Sequence, residues 1–288
     1  HYTYGRGYFE NYNIGYDDGI SKNPDFIDRR WLDNDFYGLI FSLNKITERY
    51  NTTIGGAYNL YDGEHFGEYL WHAQNQILPV RNEYKERFYN DYGNKKEFNV
   101  YTKIDFSLSS KLSFYGDLQF RKIYYEANIT PYSVITGYVE DGYNSIDKVF
   151  NFFNPKFGFF LNQNGNSKFY LSYARANREP NRTDFESNSE IKPEKLNDIE
   201  IGWRYRTENV LLNLNSYFML YDEQLILTGE IDDVGNPKRT NSGSSYRIGL
   251  EIENSIKLSD LFLLQTNVTF SSNKNKNIFS MVDGLLYN

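Results

Sequence analysis

The run Phe98-Asn99-Val100-Tyr101-Thr102-Lys103-Ile104-Asp105-Phe106-Ser107-Leu108-Ser109-Ser110-Lys111-Leu112-Ser113-Phe114-Tyr115-Gly116-Asp117-Leu118-Gln119-Phe120-Arg121 decides the fold. Phe98, Val100, Ile104, Phe106 and Leu108 fall on one side of a two-residue period, with Asn99, Tyr101, Lys103, Asp105 and Ser107 on the other. Strand side chains point alternately to opposite faces, so this is a strand with one apolar and one polar side. Ser109-Ser110 supplies the turn. Beyond it Leu112, Phe114, Leu118 and Phe120 alternate with Ser113, Tyr115, Asp117, Gln119 and Arg121, which completes a hairpin.

The same pattern runs outward in both directions. Towards the N-terminus lie Tyr37, Leu39, Phe41 and Leu43, then a turn around Glu48-Arg49, then Ile54, Gly56, Tyr58 and Leu60; His1–Tyr8 reads as a short strand. Towards the C-terminus, Phe157, Phe159 and Leu161 join Phe169, Leu171 and Tyr173 through Asn164-Gly165-Asn166, an Asn-Gly step suited to a tight turn. Ile199, Ile201, Trp203 and Tyr205 alternate with Asp198, Glu200, Gly202, Arg204 and Arg206, and after Thr207-Glu208-Asn209 come Leu212, Leu214, Phe218 and Leu220. Tyr246, Ile248, Leu250 and Ile252 alternate with Arg247, Gly249, Glu251 and Glu253; a turn at Leu258-Ser259-Asp260 leads to a last strand ending near Phe270. The chain thus holds about eleven strands, each near the 9–11 residues that cross a membrane with tilt. Long polar connections are expected over residues 9–34, 73–95, 126–148, 178–194 and 229–241, and a sixth begins at Asn273.

Alternation alone does not distinguish a membrane wall from a soluble sandwich, since both have one apolar face. Two features favour the wall. Every second connection is a tight turn and the others are long, as in outer-membrane barrels with short periplasmic turns and long external loops. The mid-strand charges Lys103, Asp105, Asp117, Arg121, Glu200, Arg204, Arg247, Glu251 and Glu253 all lie on the polar side. Lipid enforces that segregation, because Lys or Arg facing the bilayer midplane costs roughly 2–4 kcal/mol.

The 288 residues include 40% hydrophobic and 18% aromatic residues, with 27 Tyr and 22 Phe, and that Tyr and Phe density favours strands and membrane-interface belts. The net charge of −7 provides no basic footprint for nucleic acid. No run approaches the ~18 apolar residues of a membrane helix. The absence of Cys removes disulfides and thiolate metal sites. The chain opens at His1, already in a strand-like run, and is read as a fragment of a longer protein.

Little in the sequence points to catalysis. No Ser-His-Asp order or nucleophile elbow occurs, and Gly5-x-Gly7 lacks the rest of a dinucleotide fingerprint. His65 and His72 flank Glu68, but a seven-residue spacing is neither a helical zinc pair nor a strand-face pair. Asp17-Asp18-Gly19 and Asp232-Asp233 are read as turn chemistry. Neither a catalytic residue, nor a metal, nor a cofactor is called for. Asp117, Arg121, Glu200, Arg204, Arg247 and Glu251 are expected to form a lumen-facing polar network. Tyr12, Tyr16, Trp31, Trp71, His72, Tyr92 and Tyr143 are the ligand-contact candidates in external loops, because rigid amphipathic aromatics among polar residues suit reversible capture.

The segments Tyr173-Ala174-Arg175-Ala176-Asn177-Arg178-Glu179-Pro180-Asn181-Arg182, Lys192-Pro193-Glu194-Lys195-Leu196-Asn197-Asp198-Ile199-Glu200-Ile201-Gly202, Tyr221-Asp222-Glu223-Gln224-Leu225 and Asn241-Ser242-Gly243-Ser244-Ser245-Tyr246-Arg247-Ile248-Gly249-Leu250-Glu251 resemble the barrel of TonB-dependent outer-membrane receptors. The opening His1–Tyr8 also resembles theirs, and the likeness is sharpest from Tyr173 to Glu251. The resemblance implies an all-β chain: the wall of an antiparallel transmembrane β-barrel, with residues 1–288 a partial barrel domain lacking the N-terminal plug and the last strands of a 22-stranded whole. It implies import of a scarce nutrient (an iron–siderophore complex, haem, cobalamin or a glycan) across the bacterial outer membrane. The implied partners are outer-membrane lipid, a TonB-type energy-coupling protein acting through the plug, and the small-molecule ligand. Two other classes compete: a passive porin-like or structural barrel, which an upstream plug would exclude, and a soluble β-rich binding module, which would be monodisperse without detergent.

Overall fold

The computed structural model describes residues 2–6, 25–72, 87–130, 144–231, 237–275, 280–282 and 285–287. Its strands in chain order are β1 (Tyr2–Arg6), β2 (Asp25–Ile46), β3 (Tyr50–His72), β4 (Arg87–Ser107), β5 (Leu112–Ile129), β6 (Asn144–Asn164), β7 (Ser167–Arg178) and β8 (Glu194–Arg206). They continue with β9 (Val210–Asp222), β10 (Leu225–Ile231), β11 (Pro237–Asn241), β12 (Ser245–Lys257), β13 (Leu263–Asn275), β14 (Ser280–Val282) and β15 (Leu285–Tyr287). One short helix, α1 (Arg182–Ser187), lies between β7 and β8. Eleven strands form a single sheet in the order β1-β2-β3-β4-β5-β6-β7-β8-β9-β12-β13, while β10-β11 and β14-β15 are separate two-stranded hairpins. Each strand of the large sheet pairs with its sequence neighbour, except that β10 and β11 are set aside between β9 and β12. The eleven strands and all-β character expected from the alternation are those observed.

The tight turns fall where the sequence places them, at 47–49, 108–111, 165–166, 207–209 and 258–262. The long connections are shorter than expected. Three expected loops lose ground to strands: β2 begins at Asp25, β4 at Arg87 and β6 at Asn144, while β5 runs on to Ile129. Towards their long-connection ends the strands lose the two-residue contrast while the strand continues. The expected loop over 178–194 contains α1, and that over 229–241 is largely the β10–β11 hairpin. β13 runs to Asn275, five residues past the expected end. The parts of the expected loops at 9–24, 73–86 and 131–143 lie outside the described residues.

The chain divides into two units. The first comprises residues 1–39, 58–97 and 123–149; its buried apolar side chains include Ile123, Ala127, Ile129 and Ile146. The second comprises residues 40–57, 98–122 and 150–288, and it holds the candidate site. Its apolar sheet face is uncovered: Phe159, Leu171, Ile201, Phe218, Ile248 and Phe270 are exposed, with Ile201 at 58%. A soluble sandwich would bury this row under a second sheet. Instead Phe185 and Asp184 of α1 are fully buried.

Candidate ligand-facing site

The connection between β7 and β8 is built from its own residues. Asn181 caps α1: its Oδ1 accepts from the Asp184 N–H at 2.9 Å, and Asp184 Oδ2 accepts from the Asn181 N–H at 2.8 Å. This reciprocal capping box satisfies two amides that a helix N-terminus leaves unpaired. The Asp184 carboxylate then takes both arms of the Arg239 guanidinium, Nε at 2.8 Å and Nη2 at 2.9 Å, so α1 is fastened to β11. The Asp184 side chain is 1% exposed and that of Arg239 15%. Burial pushes the Asp184 carboxyl up from its ordinary range, opposed by the Asn181 amide and by Arg178, which hold it down.

A second clasp lies beside the first. Asn241 accepts from the Lys192 N–H at 2.8 Å and donates its Nδ2 hydrogens to the Lys192 and Glu223 carbonyls at 3.0 and 2.9 Å. Glu194 accepts from the Leu225 N–H at 2.8 Å, and the Ser245 hydroxyl donates to Gln224 Oε1. Lys192 Nζ lies 2.8 Å from Glu223, whose carboxylate raises the pKa of the ammonium. That pairing contributes below lysine's ordinary pKa and is lost as pH rises past the raised one, so it is intact at neutral pH. Arg121 of β5 reaches Glu179, at the start of the connection, at 3.2 Å. The two expected loops are therefore one fastened substructure.

The polar sheet face carries a chain of amide-bridged charges. Arg204 Nε donates to Asn213 at 3.0 Å, and Asn213 Nδ2 donates to Glu253 at 3.3 Å. Tyr170 donates to Asn215 at 2.7 Å, and Asn215 donates to Glu251 at 3.3 Å. Lys103 pairs with Asp117 at 3.8 Å, Asp198 and Glu200 lie two apart on the same face of β8, and Arg247 lies 5.1 Å over the Tyr221 ring. Tyr170 lies flat over Gly202, its register partner on β8, and Tyr217 over Gly249, its partner on β12. A Cβ at either glycine would occupy the ring's place.

A family model described as "TonB dependent receptor-like, beta-barrel" matches residues 1–285. The chain belongs to the TonB-dependent receptor β-barrel family. The search of curated proteins finds no match. Among solved structures, a copper transporter, OprC, aligns with TM-score 0.67 and 11% identity over 88% of this chain and 42% of its own. The siderophore receptor PiuA from Acinetobacter baumannii aligns with TM-score 0.57 and 14% identity over 93% and 41%. The ferric citrate transporter FecA aligns with TM-score 0.56 and 12% identity over 88% and 38%. At these identities the likeness carries the fold alone, and the chain spans about two fifths of each receptor's length.

The six residues expected to form a polar network make the following contacts. Glu251 and Arg204 bond asparagines rather than each other, Arg121 faces the α1 connection, and Arg247 packs on an aromatic ring. Two ligand-contact candidates leave their expected loops for strands and sit on the continuation of the apolar side. Trp31 of β2 donates to Glu68 at 3.0 Å and stacks at 6.1 Å on Phe66. Tyr92 of β4 lies against Asp62 and Asn94. Trp71 and His72 also belong to a strand, β3, rather than a loop. Tyr12, Tyr16 and Tyr143 lie outside the described residues. Among the described residues no group of three or more His, Cys, Asp or Glu could hold a metal ion. The clasp residues Asn181, Asp184, Arg239 and Asn241 escape a reading of periodicity. Asn181-x-x-Asp184 after Pro180 was the available signal, since that spacing is a capping pattern.

Proposed function

We propose that the full-length protein is an outer-membrane receptor that imports a scarce nutrient by TonB-coupled transport, not an enzyme. The observation that carries this reading is the match of the barrel family over residues 1–285. The uncovered apolar face of the eleven-strand sheet supports a lipid-embedded wall, with its tight turns on the periplasmic side and the α1 clasp outside. Residues 1–288 are then barrel, and energy reaches them from a TonB-type protein through a plug domain elsewhere in the full-length protein. The clasped connection offers a preorganised rim for a ligand; Trp71 and His72 of the first unit, like Tyr12, Tyr16 and Tyr143, are separate candidates. The ligand is a small molecule of the classes named above: chelated iron, haem, cobalamin or a glycan.

The test is uptake by a strain deleted for the full-length gene, complemented or not, with radiolabelled members of each class, before and after collapse of the proton-motive force. Complementation restoring uptake of one class, abolished by uncoupler, is expected. Uptake of every class that is unaffected by uncoupler would contradict energy-coupled import.

A further inference from the structure

In the first unit, the inward side of β2 and β3 carries a stretch without charge. The two strands keep one register there: Asn59 lies across from Gly38, Gly63 across from Asn34, and Glu68 across from Arg29. Parity therefore fixes the faces. Tyr37, Leu39, Tyr58 and Leu60 belong to the lipid-facing row, and Asn34, Phe36, Asn59, Tyr61 and His65 have the opposite parity. No Lys, Arg, Asp or Glu falls among these inward positions, whereas β8 and β12 carry Glu200, Arg204, Arg247 and Glu251 on theirs. The stretch does include Phe36, whose ring is 67% exposed on the side that should be polar. An exposed aromatic there has no lipid to meet.

Three polar groups meet beside that ring. The Tyr61 hydroxyl donates to Asn34 Oδ1 at 2.8 Å, and His65 Nε2 lies 3.2 Å from the same oxygen and 3.4 Å from the Tyr61 oxygen. A carboxamide oxygen only accepts, so Nε2 carries a hydrogen. Tyr61 and His65 stand two residues either side of Gly63 and reach Asn34 across it. A Cβ at Gly63 would lie 2.6 Å from Asn34 Oδ1 and closer still to the Tyr61 hydroxyl, so the glycine leaves the space in which the three side chains converge. Both lone pairs of Oδ1 are taken, while Asn34 is exposed and its amide N–H groups bond nothing among the described residues. Asn34 stands twelve residues from Ile46, where β2 ends at its tight turn. That is beyond the 9–11 residues that cross a membrane with tilt, at the outer mouth.

We propose that Phe36, Asn34, Tyr61 and His65 form a subsite for one sugar ring of a neutral oligosaccharide, so that the imported nutrient is a glycan. The subsite rests on the import reading above and narrows its ligand. A pyranose has an apolar C–H face and a rim of hydroxyls. The Phe36 ring covers the face, and the rim needs donors and acceptors side by side, which the Asn34 N–H groups and the Tyr61 oxygen supply. The other ligand classes call for chemistry that this stretch does not carry. Anionic iron chelates and the carboxylates of haem are gripped by Arg or Lys, and neither residue lies among these inward positions. The His65 nitrogen that faces Asn34 is engaged there rather than presented to a metal. The corrin of cobalamin is far broader than a single phenyl ring, and direct binding separates it from a sugar.

The test uses full-length receptor purified in mild detergent and applied to an array of short neutral and acidic oligosaccharides. Haem, a ferric tricatecholate and cyanocobalamin are titrated into the same preparation, and heat-modifiable gel mobility reads folding. Folded wild type is expected to bind neutral oligosaccharides and none of the other three. Phe36→Ala and Asn34→Ala should each weaken that binding about tenfold. Phe36→Trp should keep it, Gly63→Ala should weaken it by displacing Tyr61 and Asn34, and the outward Tyr37→Phe should leave it unchanged. Should Phe36→Ala not fold, Asn34→Ala and the selectivity of wild type decide. Folded wild type that binds no neutral oligosaccharide, or binds acidic ones equally well, overturns the proposal, as does a folded Phe36→Ala or Asn34→Ala that binds like wild type. Uptake of an iron chelate, haem or cobalamin by the complemented strain would leave import standing and remove the glycan, whereas uptake of no class would remove import itself.

Discussion

Asp184 shows how one side chain can decide a local structure. Its carboxylate closes the capping box of α1 and takes both arms of Arg239, and the side chain is 1% exposed. A six-residue helix is far too short to hold itself together in water, so these bonds and the burial of Phe185 must hold it. Removing one partner of a buried pair costs roughly 3–5 kcal/mol, because the survivor keeps an uncompensated charge. Asp184→Asn should therefore open the 179–191 connection locally, read as faster amide exchange there with β8 and β9 unchanged. Unchanged protection over 179–191 would show that packing alone holds the connection. Asn241→Ala should have a smaller effect of the same kind, about 1 kcal/mol for each neutral bond lost, centred on Lys192 and Glu223. None of this was visible as hydrophobic periodicity. A clasp made of one carboxylate, one guanidinium and one amide from segments fifty residues apart leaves no local pattern.

Among the elements, the paired strands were the most legible. The hairpin over Phe98–Arg121, the Asn-Gly turn and the strand pair around Thr207–Asn209 all lie where alternation places them, because in the band each strand has one face in lipid. Strand ends were least legible, as β3 shows: its 23 residues run well past the last alternating apolar residue, Leu60. The same one-faced exposure makes face-specific predictions. Phe120→Arg puts a cation among lipid-facing residues and should cost roughly 2–4 kcal/mol, whereas Arg121→Ala on the polar face, which loses contacts such as those to Glu179 and the Phe152 ring, should cost less. Urea unfolding of the refolded full-length barrel in vesicles compares them, and equal losses would refute the face assignment. On the polar face, Gly202→Ala should displace the Tyr170 ring and cost about 1–3 kcal/mol by overpacking. Tyr170→Ala combined with Gly202→Ala should recover part of that loss. No recovery would mean that the glycine is required for some reason other than the ring.

At the scale of the molecule, the sheet order explains why a chain with a net charge of −7 and many exposed apolar residues is neither a failed core nor a soluble sandwich. At mid-strand the charges of the second unit lie on one face and the apolar side chains on the other, and among the described residues that apolar face is exposed. Family membership accounts for that arrangement, and the ligand remains a matter for the rim and for uptake measurements. Trp31 and Tyr92, expected in loops, lie on strands β2 and β4. Both sit on the outward side, because aromatic residues near a membrane serve interface and capture alike and composition does not separate the two uses. The central claim is that this sheet is a transmembrane wall; residues 1–288 contain no cysteine, and with any cysteine elsewhere in the full-length protein changed to serine a direct measurement is open. Single cysteines placed along β12 in the full-length protein, in intact outer membranes, would be labelled in parallel with a lipid-soluble and a membrane-impermeant maleimide. Positions 248, 250 and 252 should react with the lipid-soluble reagent, and 249, 251 and 253 should be protected from it; uniform labelling along the strand by either reagent would contradict the account.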